Sequence, residues 1–68
     1  MFKVVEVKDY DVHERYGTDW HTDYHIETDE DLNIDEVIEK LRVLGYNAYG
    51  SMTLKKKDNQ MVLETVMY

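Results

Sequence analysis

The chain has 68 residues, with no cysteine, no proline and three glycines, and its 8 basic and 15 acidic residues leave a formal charge of −7. That length fits one small domain, residues 1–68. The missing cysteines exclude a disulfide framework and thiolate metal sites, and 43% apolar residues are too many for a disordered chain.

Residues 2–12 are rich in β-branched and aromatic side chains and predict a first strand. The polar stretch 13–18, with Gly17, predicts a hairpin loop. Residues 19–28 alternate: Trp20, Thr22, Tyr24, Ile26 and Thr28 on one face, Asp19, His21, Asp23, His25 and Glu27 on the other. A half-buried antiparallel strand has this pattern, with Trp20 and Tyr24 anchoring the core. Ile34, Val37, Ile38, Leu41 and Leu44 form one apolar stripe at helical spacing and predict a helix over 34–44. Asn33 and Glu36 are spaced as a capping box, Leu32 and Val37 as a hydrophobic staple. Gly45 follows as a left-handed C-terminal residue.

Residues 47–57 predict a third strand with Ala48, Gly50, Met52 and Leu54 inward. Asp58 and Asn59 suit a two-residue turn. Residues 60–68 predict a fourth strand, with Met61, Leu63 and Met67 on one face and Val62, Val66 and Tyr68 on the other. The order ββαββ implies an α+β fold: a four-stranded antiparallel sheet with one helix packed on one face. A fourth strand apolar on both faces, in a domain with a marginal core, predicts a homodimer that pairs those faces or extends the sheet through an edge strand.

The charge is unevenly spread. Residues 9–39 hold twelve acids against Arg15 alone. An acidic middle disfavours direct contact with a nucleic-acid backbone and suits a basic protein partner. The candidate partner-binding residues are Asp19, Asp23 and Glu27 on the second strand, Asp29, Glu30 and Asp31 after it, and Asp35, Glu36 and Glu39 on the helix. Caps and a solvated helix surface account for part of that group by themselves. Lys55, Lys56 and Lys57 read as a solubilising strand end.

Two histidines and a carboxylate, His21, Asp23 and His25, share the ionisable face of the second strand, and such ligands suit zinc, nickel or non-haem iron. Same-face neighbours on a strand stand about 6.6–6.8 Å apart, so a metal would need help from a neighbouring strand. A solvated polar face is the competing interpretation, and no metal or cofactor is the leading expectation. The sequence contains no GxGxxG, Walker, HExxH or GxSxG motif, and its one serine, Ser51, has no activating context. An enzyme is not expected.

In size and charge alone, the chain resembles the short, acidic, cysteine-free proteins of phages and mobile elements, some of which block restriction enzymes or CRISPR effectors by imitating DNA. That resemblance implies a non-catalytic inhibitor whose acidic, nucleic-acid-like surface docks on a basic nucleic-acid-binding protein. The alternative is a small oligomer that holds a metal or small ligand on the His21, Asp23, His25 row. The longest apolar run is three residues, which leaves no candidate for a membrane span or signal peptide and gives the expectation of a cytoplasmic protein with no membrane partner.

Overall fold

A computed structural model describes residues 1–67. Its elements are β1 (Phe2–Glu14), β2 (Gly17–Thr28), α1 (Ile34–Val43), β3 (Ser51–Lys57) and β4 (Gln60–Met67). The four strands form one antiparallel sheet in the order β1-β2-β4-β3, with α1 on one face, the α+β arrangement expected from the sequence. Among the described residues, no helix is long and apolar enough to cross a membrane.

The core lies between α1 and the even-numbered face of β2. Tyr24, Ile26, Leu32, Val37, Leu41, Met61 and Leu63 are buried together, with Phe2, Val4, Ile34, Ile38, Met52 and Leu54 at the margin. Burying each of the larger aliphatic side chains contributes about 1.5–3 kcal/mol. Tyr24 meets Tyr46 edge-on at 5.9 Å, and its hydroxyl donates to the Asn47 carbonyl at 3.4 Å. Burial pushes the Tyr24 phenol above its ordinary pKa, and the neighbouring Asp9 carboxylate adds to this.

Both ends of α1 are stopped by side-chain and backbone chemistry that the sequence foretells. The Glu36 amide donates to Asn33 Oδ1 at 2.9 Å, and the Asn33 amide donates to Glu36 Oε1 at 3.1 Å, closing the capping box. Leu32 and Val37, the two arms of the staple, are both buried. At the other end the Tyr46 amide donates to the Leu41 carbonyl at 2.9 Å and the Gly45 amide to the Arg42 carbonyl at 3.0 Å. With Gly45 at φ +95°, this is a Schellman ending. Asn33→Ala is expected to cost about 1 kcal/mol, measurable as a lower midpoint in urea unfolding followed by circular dichroism.

The structure departs from the sequence expectations at several ends. The 13–18 loop contracts to a turn at Arg15–Tyr16, because His13 and Thr18 pair across the hairpin with their side chains 3.1 Å apart. Polarity there marks solvent, not the loss of pairing. Leu44 is the C-cap, 53% exposed: it keeps the direction of the stripe, two turns on from Val37, but lies past the last helical residue. β3 starts at Ser51 and not at 47. Gly50, expected inward, is exposed and has φ +87°, which ends extended pairing just before the strand. Ala48 still packs against the core from the loop.

Trp20 and Met67, expected in the core, are 54% and 47% exposed. They do lie on the helix-side face, as Cα partners across β2 and β4. The helix, about 15 Å long, does not reach them in a molecule 40 Å long. Thr65 is buried in the same register instead, with its hydroxyl donating to the Thr22 carbonyl at 3.0 Å. The first hairpin does not fold over the second face of the sheet, so that face is uncovered. Val62 and Val66 on it are half-buried by their cross-strand neighbours. Tyr68, the third member of that expected apolar group, lies outside the described residues.

Candidate partner-binding surface

Cross-strand partners share a face of a sheet, so the register shows what surrounds the ionisable row of β2. On the uncovered face, Asp23 has Lys8 on one side and Glu64 on the other; His25 has Glu6 and Val62; His21 has Tyr10 and Val66; Glu27 has Lys3 and Gln60. Beyond β4, Lys55 and Lys57 of β3 complete the rows. Lysines therefore stand on both sides of the acids on this face. Lys55 bonds Glu64 at 3.0 Å, which raises the lysine's pKa, and Lys8 lies 3.6 Å from Glu6.

Tyr10 stacks on His21 with ring centroids 5.0 Å apart. Its phenol is raised above the ordinary tyrosine pKa, first by desolvation and then by a hydrogen bond to Asp23. Asp23 and His25 are half-buried, and Asp23 Oδ1 and His25 Nε2 are closed off without a protein hydrogen-bond partner. Among the described residues, no group of three or more His, Asp or Glu side chains converges where a metal ion could be held. His21, Asp23 and His25 remain a row along one strand, and the structure does not bring them to a common point.

The acids after β2 are used differently. The Asp29 carboxylate accepts from the N-terminal ammonium at 2.9 Å, Glu30 lies 3.7 Å from Lys40, and Asp31 accepts from Lys56 at 2.9 Å. Together they tie the start of β1, the helix and the end of β3 to one loop. Glu36 is engaged in the cap, and Glu39 lies 3.3 Å from Arg42. Exposed pairs of this kind contribute little to stability, but each places a cation beside a carboxylate and weakens the local negative field.

The ammonium hydrogen bond lowers the Asp29 pKa, and the same contact raises that of the ammonium. The Asp29 contribution is therefore lost as pH falls through its lowered pKa, and the ammonium's as pH rises through its raised one. The pair is intact around neutrality.

The carboxylates without a cation within 4 Å among the described residues include Asp9, Asp11, Glu14, Asp19 and Asp23. The first four belong to the half of the β1–β2 hairpin remote from the helix, and Asp23 lies at its middle. Arg15 in its turn lies over the Tyr16 ring at 5.5 Å. Asp9 and Asp11 were not singled out in the sequence, where they read only as polar positions of the first strand. The register places them on the helix-side face, opposite Thr22 and Trp20. Glu27 and Asp35 also have no ion pair and are exposed, Glu27 on the uncovered face and Asp35 on the first turn of α1.

No protein-family model, curated protein or solved structure matches this chain.

Proposed function

We propose that the protein is a non-catalytic acidic binding protein, an inhibitor that docks a nucleic-acid-like surface on a basic nucleic-acid-binding protein. The supporting observation is the run of uncompensated carboxylates along the remote half of the hairpin, with Asp19 in the row of β2 that also carries Asp23 and Glu27. Of the other candidates, Asp35 is free to act in docking, whereas Asp29, Glu30, Asp31, Glu36 and Glu39 also serve the fold. Such a field speeds encounter with a basic partner and fades with salt.

The test is capture of partners on the immobilised protein from its native host, followed by competition with duplex DNA. Asp19→Lys with Glu27→Lys is the diagnostic variant, because neither side chain holds an ion pair. The expected result is a nucleic-acid-binding partner released by duplex DNA, whose affinity falls at least about tenfold between roughly 0.1 and 0.5 M salt. The double reversal should abolish capture while leaving the circular dichroism spectrum unchanged. A partner indifferent to salt and to the reversals overturns the proposal.

The homodimer belongs to the same proposal, with one restriction. Asp19, Asp23 and Glu27 share the uncovered face with Val62 and Val66, so a dimer formed through that face would hide them. Pairing of two sheets through the long edge strand β1 leaves both faces free. Light scattering at micromolar concentration should give twice the 8.2 kDa of the chain; a mass of one chain, constant with concentration, removes the dimer.

A further inference from the structure

The helix-side face of the remote hairpin carries two large apolar side chains, Trp20 and Met67, that the fold does not cover. Asp11, Trp20 and Met67 form one row across β1, β2 and β4, and Asp9, Thr22 and Thr65 the next. Trp20 and Met67 are exposed, while Thr65 is buried. A cleft of about 300 Å³ opens here, lined by Asp9, Tyr10, Asp11, Trp20, His21 and Thr22. On this face the Thr22 hydroxyl holds Asp9 Oδ1 at 2.8 Å; the Tyr10 and His21 rings stack on the opposite face of the same two strands.

Exposed tryptophan on a rigid sheet is the kind of side chain that anchors interfaces. Here it stands beside carboxylates. Directly opposed residues have Cβ atoms about 4.5–5.5 Å apart, so Asp11 and Trp20 stand side by side on this face, and both line the cleft. Asp11 has no cation within 4 Å among the described residues, and only one Asp9 oxygen is engaged by Thr22. A planar cation can lie on the indole face while donating in its own plane to a carboxylate beside it. Arginine has that geometry. Lysine, a compact and strongly hydrated charge, satisfies only one contact at a time.

We propose that the Asp9–Asp11–Trp20 cleft is the anchor site for an arginine side chain of the basic protein partner. This deepens the docking function proposed above by naming the residue type the acidic surface grips. It places the anchor on the face opposite Asp19 and Glu27, so the two halves of the surface are separately testable.

Trp20 is the only tryptophan, so its emission reports directly on the cleft. The experiment titrates the whole protein with a hexapeptide of alternating glycine and arginine, and in parallel with its lysine counterpart. The expected result is a saturable change in Trp20 emission, with the lysine peptide at least about fivefold weaker. Asp11→Asn should weaken the arginine peptide by a similar factor, and Trp20→Ala should abolish its binding heat in calorimetry. Both variants alter exposed positions outside the core, and circular dichroism confirms their fold.

Unchanged emission up to millimolar peptide, equal affinity for the two peptides, or an Asp11→Asn variant equal to wild type each overturns the anchor. The two proposals fail separately. A silent cleft with salt-sensitive, reversal-sensitive partner capture removes the arginine site and keeps the docking function. A responsive cleft with salt-indifferent capture keeps the arginine site and removes that function.

Discussion

Leu41→Ala should destabilise the protein by about 2–5 kcal/mol, whereas Leu44→Ala should leave it nearly unchanged. Leu41 is fully buried against the sheet, and Leu44 is exposed at the helix C-cap. Truncating a buried leucine costs about 2–5 kcal/mol, from lost transfer energy and the cavity left behind. A chain of this length has about 3–10 kcal/mol of stability in total, so that loss is a large share of it. Leu44→Ala should change stability by less than about 0.5 kcal/mol. Urea unfolding followed by far-ultraviolet circular dichroism distinguishes the two. Trp20 emission is the wrong probe, since its indole lies outside the core. Equal destabilisation by both substitutions would mean that the helix end packs differently.

That contrast also marks how far the sequence can be read. The spacing of Ile34, Val37, Ile38, Leu41 and Leu44 identifies the helix and its face, because periodicity needs only local geometry. The caps at Asn33, Glu36 and Gly45 are legible for the same reason. Where the helix lies along a sheet more than twice its length is set by the loops at 29–33 and 44–50, and no local pattern encodes it. Trp20 and Tyr24 therefore look equivalent in the alternation of β2, yet one is exposed and the other buried.

The candidate site divides in the same way. The acidic row Asp19, Asp23, Glu27 can be read from one strand, but its lysine neighbours belong to β1 and β3 and become neighbours only through the register. Asp23 illustrates the consequence. From the sequence it is a free carboxylate, suitable for charge reversal. In the fold it is half-buried, Lys8 is its cross-strand partner and Oδ1 is closed off. A lysine at position 23 would set its ammonium in a half-buried place beside Lys8, so lost binding there would be confounded with lost folding, whereas Glu27, opposite Lys3, is exposed and its substituted side chain can turn into solvent. Asp9 and Asp11 were missed for the complementary reason: they matter only because Trp20 is opposite one and Thr22 opposite the other.

Gly50→Ala should destabilise the protein by more than about 2 kcal/mol, and Gly45→Ala by about 1–2 kcal/mol. Both glycines have positive φ, +87° and +95°, where a side chain costs about 1–2 kcal/mol in backbone strain. The difference lies in the surroundings. A Cβ at Gly45 meets nothing within 4 Å, so strain is the whole cost. A Cβ at Gly50 would run into the backbone carbonyl of Val66, which cannot move without disturbing the β3–β4 ladder. The same Cβ would lie 3.2 Å from the Met67 side chain, next to Trp20 in the row that walls the proposed arginine cleft. Gly50→Ala should therefore shift Trp20 emission even in the folded protein, while Gly45→Ala, at the helix end, should not. Chemical denaturation gives the stability difference, and the native-state emission spectrum gives the second. Equal losses with unchanged emission would show that the 46–50 loop can retreat from β4 without cost.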